Sequence, residues 1–303
     1  MSSVNVAAEN MEDIVSVDIG GMKLQHQNLL VTLYGLYGQP SSGSFPVSAI
    51  VEMFGALGIK SQASRSTISR LKSRGVLINE RTGSDSHYQL SAEILDGFRK
   101  DDQRIFAPSR SSSDESLILA IFSVPESERN RRYELRSELA SMGFGMVASG
   151  VAVGPQLAFE QAKARLNARG LSGYVEFFRA DYMSPEDIQD RVAQWWDLQA
   201  LDQQYTDFLQ LYVGRLGAWQ EKLAKPVESD EQRRDLEREA FAFYVPMLTR
   251  WRHFPYRDPN LPFEYLPEGW KAPQAKNTFL ALHELLAPQA ELYANQLLGL
   301  RIG

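Results

Sequence analysis

The 303-residue sequence predicts a multidomain α+β protein. Short helical segments joined by glycine-containing turns open the chain, strand and helix patterns alternate in its middle, and long amphipathic stretches follow. From these patterns we predict five segments. They are a disordered tail at 1–24, a first block at 25–106, a linker at 107–115, a second block at 116–184 and an all-helical block at 185–303.

The composition excludes several classes of protein. Cysteine is absent, so the chain has no disulfide, no thiolate nucleophile and no thiolate metal ligand. The first residues lack the basic start and apolar run of a signal peptide. No apolar run approaches the roughly 18 residues that a membrane helix needs. We therefore expect a cytoplasmic protein that makes no contact with a membrane.

Charge is distributed unevenly along the chain. The net charge is −6, from 32 basic and 38 acidic residues. Residues 60–81 nevertheless contain six basic residues and one acidic residue, Glu80. A basic segment in an otherwise acidic chain suggests contact with a polyanion, although a solvated helix face has the same composition.

The first block has the pattern of a winged helix-turn-helix. Helices are predicted over Asn28–Tyr37, Val47–Leu57 and Ser61–Arg74, with Ser61 as the N-cap of the third. Gly75 is placed to end that helix in the left-handed conformation. The β-type runs 76–78 and 87–90 then predict a hairpin, or wing, beside it.

The third helix is predicted to contact DNA. At about 100° per residue, Ser64, Ile68 and Leu71 share its inward face. Its outward face is polar and basic without an acidic residue, which suits a helix in the major groove. A protein-interaction module is the alternative, and it would tolerate loss of these charges. The predicted DNA-binding residues are Lys60, Gln62, Arg65, Ser66, Ser69, Arg70, Lys72, Arg74 and Arg81.

The second and third blocks differ in their periodicity. Strand-like runs at 117–124, 144–153 and 171–179 alternate with helical spacing at 126–142 and 157–168, which predicts a small ferredoxin-like layer. Beyond it, helices are predicted over Trp196–Leu223, Asp230–Arg252 and Ala275–Leu300. The intervening segment His253–Pro262 is too rich in proline for a helix.

Four stretches follow one another in a familiar order. They are Leu29–Gly35, Leu57–Gly75, Trp196–Leu201 with Tyr205 and Phe208, and Arg252–Pro262 continuing to Leu266–Trp270. In these stretches the chain resembles, over nearly its whole length, the PaaX family of repressors of phenylacetate-degradation operons. The segment Phe-Pro-Tyr-Arg-Asp-Pro at 254–259 is the most specific part of the likeness.

The resemblance implies a GntR-like winged helix, a ferredoxin-like middle domain suited to dimerisation and a helical effector-sensing domain. It also implies a homodimer on a palindromic double-stranded DNA operator. An aryl-coenzyme A thioester such as phenylacetyl-CoA would release that dimer from its operator. No cofactor, metal or catalytic residue is expected.

A thioester of coenzyme A needs cations for its phosphates and an apolar slot for its acyl group. Residues 250–257 contain three arginines, a histidine and three aromatic residues. Packing within the core is the alternative role, above all for the tryptophans. The predicted effector-binding residues are Arg250, Trp251, Arg252, His253, Tyr256, Arg257, Tyr205 and Trp196.

A metal-dependent enzyme is the weaker alternative. The four histidines lie far apart in sequence, and the chain contains no His-Glu-x-x-His, Gly-x-Ser-x-Gly or phosphate-binding loop motif. Glu126, which follows the first strand of the second block, is by itself a poor magnesium ligand set. The sequence therefore favours a regulator over an enzyme.

Overall fold

The structure is a computed structural model that describes residues 16–19, 22–38, 43–82, 85–91, 105–106, 116–183 and 188–300. The side chains at 16–23, 81–85 and 256 are also outside the description. The predictions for residues 1–15 and for the linker at 107–115 therefore lie outside the described residues.

The chain divides into two compact units. The first combines Met1–Gln103, Gln210–Trp251 and Lys276–Gly303, and the second combines Arg104–Leu209 and Arg252–Ala275. The C-terminal region, predicted from the sequence as one helical block, thus contributes segments to both units.

The first unit begins with the antiparallel pair β1 (Ser16–Ile19) and β2 (Met22–Gln25), at positions predicted to belong to a disordered tail. Three helices follow at the predicted places, and each begins and ends within two residues of its prediction. They are α1 (His26–Tyr37), α2 (Val47–Ala56) and α3 (Ser61–Ser73).

Glycines permit the turns on both sides of α3. Gly58 and Gly75 have φ values of +80° and +71°, the left-handed conformation that glycine adopts without steric cost. The predicted capping role of Ser61 is wrong. Lys60 is the extended residue before the helix, and Ser61 is already helical, so no side chain caps this end.

A three-stranded antiparallel sheet accompanies the three helices. It contains β3 (Ser44–Pro46), β4 (Leu77–Thr82) and β5 (Asp85–Leu90) in the order β3-β5-β4. Strands β4 and β5 form the hairpin that the sequence predicts after the third helix, and both are longer than predicted. The helices and this sheet together have the order helix, strand, two helices and hairpin.

The second unit contains a four-stranded antiparallel sheet covered by two helices. Its elements are β6 (Leu117–Phe122), α4 (Arg129–Ser141), β7 (Gly145–Ala148), β8 (Val151–Pro155), α5 (Phe159–Ala168) and β9 (Val175–Ala180). The strand order is β7-β8-β6-β9, with antiparallel neighbours. This is the β-α-β-β-α-β order of a ferredoxin-like layer.

This sheet has four strands, one more than the three that the sequence predicts. The run 144–153, taken as one strand, folds back on itself, so that Ala148 pairs with Val151 across a two-residue turn. Gly150 makes this turn possible because a Cβ atom there would lie 2.8 Å from the carbonyl oxygen of Phe122. Apolar strand residues on both sides of so short a turn give one continuous hydrophobic run in sequence.

Both faces of the sheet carry apolar side chains. One face packs on α4 and α5 through Ala120, Phe122 and Leu135, among others. On the other face, Leu117, Leu119 and Val153 pack against a cluster that includes Trp196 and Leu261. A sheet covered on both faces accounts for the uninterrupted apolar run of β6.

Helices make up most of the remaining chain. They are α6 (Ile188–Trp195), α7 (Leu198–Tyr212), α8 (Arg215–Leu223), α9 (Asp230–Trp251), α10 (Phe254–Arg257) and α11 (Ala272–Leu298). The prediction of one helix over Trp196–Leu223 is wrong because the chain turns at Val213–Gly214. The proline-rich segment also contains a short helix, α10, since Pro255 occupies a first-turn position where no N–H is needed.

Within the first unit, α9 packs against α1. The hydroxyl of Thr249 donates a hydrogen bond of 3.0 Å to that of Thr32, and both side chains are buried. Five residues along α1, the ring of Tyr37 packs 6.1 Å from that of Phe241. Helix α1, which precedes the β3-β5-β4 sheet, and helix α9 from the C-terminal region therefore share one core.

A buried ion cluster joins α4 to α5. Glu138, 1% exposed, forms ion pairs with Arg165 and Arg169, and Arg169 also reaches Glu134 at 3.2 Å. A carboxylate at this depth is stable only because it is paired, since an isolated buried charge is far costlier than a polar surface group.

We predict that Glu138→Gln destabilises the second unit by about 3 kcal/mol or more, because it leaves two arginines without their buried carboxylate. The matched control Glu134→Gln, at a side chain 31% exposed, costs less than about 1 kcal/mol. Hydrogen exchange of the β6 and β8 amides measures both changes. Equal protection in the two variants would contradict the assignment.

Candidate functional site

Helix α3 buries one face and exposes the other. Ser64, Ile68 and Leu71 are buried, as the helical spacing predicts, and Thr67 joins them. The hydroxyls of Ser64 and Thr67 donate to backbone carbonyls of the preceding turn, at Lys60 and Ala63. Two polar residues can therefore sit in the core without an unsatisfied group.

The first residue of α1 contacts the buried face of α3. His26 is buried, its Nδ1 atom lies 3.5 Å from the Thr67 hydroxyl, and its ring meets the ring of Phe54 edge-on. Burial, and to a smaller extent the positive charge of Arg70, lowers the pKa of His26. A neutral imidazole at this position adds no charge beneath the basic face of α3.

The hairpin is held against α1 by a tyrosine. The hydroxyl of Tyr34 donates a 2.6 Å hydrogen bond to the carbonyl oxygen of Tyr88, and the Tyr34 ring stacks on Phe45 at 4.2 Å. On the other side, the ammonium group of Lys72 lies 5.8 Å above the Tyr88 ring. One residue of β5 thus contacts both α1 and the last turn of α3.

Most of the predicted DNA-binding side chains lie together on the solvent side of α3. The exposed ones are Lys60, Gln62, Arg65, Ser66, Ser69, Lys72 and Arg74, while Arg70 is half-buried. The side chain of Arg81, on β4, is outside the described residues. Within residues 60–74 this surface contains no acidic residue, so α3 itself brings no carboxylate to its exposed basic side chains.

Two of the predicted effector-binding residues end α9 in the first unit. The guanidinium of Arg250 is buried and donates a hydrogen bond to the hydroxyl of Tyr212 while lying over that ring. Burial is the largest influence on Tyr212 and raises its pKa, so this hydroxyl stays neutral. The ring of Trp251 stacks on Phe279 at 4.6 Å.

The remaining candidates lie in the second unit. Tyr205 donates to the buried carboxylate of Asp258 at 2.9 Å, and the exposed Arg257 donates to Gln204 at 3.0 Å. Trp196 is buried and donates to the carbonyl oxygen of Gly143 at 3.0 Å. The side chain of Tyr256 is outside the described residues.

Trp196 also explains a glycine of the sheet. A Cβ atom at Gly145 would lie 2.6 Å from the indole ring, so only glycine lets the ring approach this strand. This close fit is the core packing that the sequence analysis held as the alternative role for Trp196.

His253 lies between Arg252 and Arg257 in the sequence. Desolvation by nearby protein atoms, followed by the charges of Arg257 and Arg252, lowers its pKa. The ring is therefore neutral at pH 7, and Arg252 and Arg257 supply the positive charge of this segment.

Two further polar residues organise the segment. Asp258 accepts a hydrogen bond of 2.7 Å from the backbone N–H of Asn260, which has a left-handed φ of +51°. Asp258 thus accepts hydrogen bonds from Tyr205 and from its own loop, and an Asp-Pro-Asn sequence is suited to form this arrangement.

Three family profiles match successive parts of the chain. They are described as PaaX-like protein over residues 25–94, PaaX protein central Cas2-like domain over 110–192, and PaaX-like protein C-terminal domain over 196–296. The chain belongs to the PaaX family. The resemblance predicted from the sequence is thereby confirmed, and the sheet of β6 to β9 lies in the Cas2-like domain of this family.

Individual relatives span nearly the same length. The chain is 20% identical over 289 residues to the transcriptional repressor PaaX of Escherichia coli strain K12, which covers 94% of this chain and 88% of the relative. An uncharacterised protein of Mycobacterium tuberculosis has a similar structure, with a TM-score of 0.53 at 20% identity, over 89% of this chain and 96% of the other. At that identity the structural likeness concerns the fold alone.

Two further kinds of site are absent from the described residues. None of the described helices is long and apolar enough to cross a membrane. Likewise, no three of the described His, Asp and Glu side chains are grouped closely enough to hold a metal ion. The surface of α3 is therefore the candidate site with the clearest geometry in the described chain.

Proposed function

We propose that this chain is a cytoplasmic, DNA-binding transcriptional repressor of an operon for the degradation of an aromatic compound. The observation that carries the proposal is the solvent face of α3, which is basic, free of acidic residues and followed by a hairpin. Its family includes a transcriptional repressor of Escherichia coli. We further propose that α1 to β5 act as a winged helix.

In this proposal α3 enters the major groove of the operator. Short side chains such as Ser66 and Ser69 let the helix approach closely, while Gln62, Arg65 and Arg70 reach base edges. Lys60, Lys72 and Arg74, with Arg81 on the hairpin, contact phosphates. The tyrosine contacts of the hairpin keep it next to α3, where a wing would touch the backbone.

We also propose that two copies bind a palindromic operator through a dimer formed by the middle domain. Ile121 and Phe178, 43% and 51% exposed, lie on one face of the sheet, with Phe178 directly opposite Leu119. Large apolar side chains at adjacent positions on a surface favour contact with protein. A two-fold contact through this patch would relate the two copies of α3.

The proposed effector is an aryl-coenzyme A thioester, with phenylacetyl-CoA as the first candidate. Arg252 and Arg257 offer guanidinium groups of the kind that bind phosphate in a bidentate manner. Arg250 lies next to Thr249, which bonds to α1. An effector that favours another arrangement of this helix would shift the dimer off DNA, and a preference of about 1–3 kcal/mol gives roughly 5- to 150-fold relief.

Fluorescence anisotropy on DNA from upstream of the gene tests the repressor and its effector together. We expect tight, sequence-selective binding that weakens with salt, because phosphate contacts release counterions. Phenylacetyl-CoA then lowers the affinity, and Arg257→Gln reduces this response without changing binding in its absence. Binding that phenylacetyl-CoA leaves unchanged would contradict the effector. Only weak, unselective binding across a genomic library would contradict the repressor.

Arg70→Ala tests the orientation of α3. If Arg70 reads a guanine, we expect discrimination at one operator position to fall by about 1–3 kcal/mol, with little change elsewhere. Competition between wild-type and singly altered operators measures this change. As the matched control, Arg234→Ala removes an exposed arginine of α9 and leaves discrimination unchanged. Unaltered discrimination in Arg70→Ala would show that another face of α3 meets the bases.

The double substitution Ile121→Arg with Phe178→Arg tests the dimer. We expect a monomer in light scattering and a large loss of operator affinity, because four repelling charges would face one another across the two-fold contact. Val213→Arg, at an exposed apolar residue of the first unit, is the control and stays dimeric. A dimer that survives the double substitution would place the contact elsewhere.

A further inference from the structure

Helix α4 of the second unit has a second surface of the kind that α3 presents. At about 100° per residue, its buried residues Leu135, Glu138 and Leu139 mark the inward direction. The opposite side includes Ser141 and six further residues, none of them acidic. They are Arg129, Asn130, Tyr133, Arg136, Ser137 and Ala140.

Five of these six residues are exposed, and Ser137 is half-buried. Tyr133 stands out because it is 69% exposed, although burying so large a ring away from water would be favourable. Arg129 and Arg136 lie four residues before it and three after it, so both guanidinium groups flank the ring on the same side of the helix.

The acidic residues near this face contact side chains outside it, which are arginines for three of them and a tyrosine for Glu128. Glu134 and Glu138 turn toward α5, where they pair with Arg165 and Arg169. Before the helix, Glu126 pairs with Arg132, and Glu128 accepts a hydrogen bond from Tyr174. The ion pairs between α4 and α5 therefore lie on the side of α4 that faces α5, and the outward face of α4 is basic.

Neither Arg129 nor Arg136 has an ion pair or hydrogen bond to another described residue. Other arginines of the same helix differ, since Arg131 pairs with Glu134 and Arg132 donates to the carbonyl oxygen of Val124. Both guanidinium groups belong to residues of α4 whose side chains are exposed.

From this arrangement we propose that the outward face of α4 binds DNA phosphates through Arg129 and Arg136, with Tyr133 between them. The middle domain then contributes to operator affinity without reading sequence. The inference rests on the proposed function, because the DNA it contacts is the operator held by α3.

The chemistry of the face favours a nucleic acid over a protein. Arginine, asparagine, serine and tyrosine are the side chains that commonly donate to phosphate oxygens. A protein partner would be expected to bury an apolar centre within a polar rim, whereas this face has one ring between two charges. A polyanion supplies phosphates at regular intervals for both guanidinium groups.

The test measures operator binding over a salt series for the wild type and for one double variant that carries both Arg129→Gln and Arg136→Gln. Each lost phosphate contact makes the slope of log K against log salt less steep by about 0.9. We therefore expect the slope of the double variant to be less steep by about 2. If the two proteins bind equally near 1 M salt, a slope change of about 1.8 corresponds to roughly 60-fold weaker binding near 0.1 M. Discrimination between operator and unrelated DNA is expected to stay unchanged.

The control removes the same charge from arginines that already have acidic partners. Arg131 and Arg233 each form an exposed ion pair with a carboxylate three residues away. We expect Arg131→Gln with Arg233→Gln to change the slope by less than half as much. Equal slopes for the two double variants would overturn the proposal, since only net charge would then matter. Melting temperatures within a few degrees of the wild type verify that both variants fold.

A photocrosslink identifies the occupant of the face. Tyr133→p-benzoylphenylalanine, irradiated in the protein–operator complex, is expected to join the chain to DNA. Crosslinking only to a second copy of the chain or to another protein would overturn the proposal. Wild-type protein that does not bind the operator would instead contradict the proposed function, so the two failures are distinguishable.

Discussion

Helix α1 is buried on several sides, and the first unit is built around this constraint. Its first residue, His26, contacts Thr67 of α3, its middle residue Thr32 bonds to Thr249 of α9, and Tyr34 holds the hairpin. A helix of twelve residues with seven of them buried has almost no face left for solvent. The position of α3 and of the hairpin therefore depends on α1, and so does the packing of α9.

This shared core has a consequence for regulation. Arg250 and Trp251, two of the predicted effector-binding residues, directly follow Thr249 along α9. A change at the end of α9 reaches α1 through one buried hydrogen bond, and α1 supports α3 through His26. Packed cores shift between discrete arrangements rather than deforming smoothly. In the proposed repressor, a short chain of contacts would therefore connect the proposed effector-binding residues Arg250 and Trp251 with the proposed DNA-binding helix α3.

The second unit is a small layer whose surfaces differ in chemistry. One face of the sheet packs on α4 and α5, and part of the other face is covered by the cluster around Trp196. The remaining apolar positions, Ile121 and Phe178, are exposed. On the helical side, burying Glu138 between two arginines draws the negative charge of α4 toward α5. The exposed residues of the layer therefore include an apolar pair, Ile121 and Phe178, and the basic face of α4.

Sequence by itself determined what depends on neighbours along the chain. The three helices of α1 to α3, the inward face of α3, the left-handed glycine after it and the hairpin all follow from helical spacing and turn chemistry, which are local properties. The family was also evident, since the two parts of its characteristic C-terminal segment, at 254–259 and 266–270, lie within one stretch of 17 residues. The strand count of the middle sheet was not, because a two-residue turn leaves little trace in a hydrophobic run.

Only the tertiary structure decided which distant residues meet. Thr32 and Thr249 lie 217 residues apart, and Glu138 meets Arg165 from another helix. A threonine or glutamate that will be buried looks, in sequence, like one that faces solvent. The periodicity of α4 places its two glutamates on one flank and its arginines on several sides, and only the pairing with α5 shows which charges are neutralised. Pairing across a fold depends on topology, which helical and strand periods do not encode.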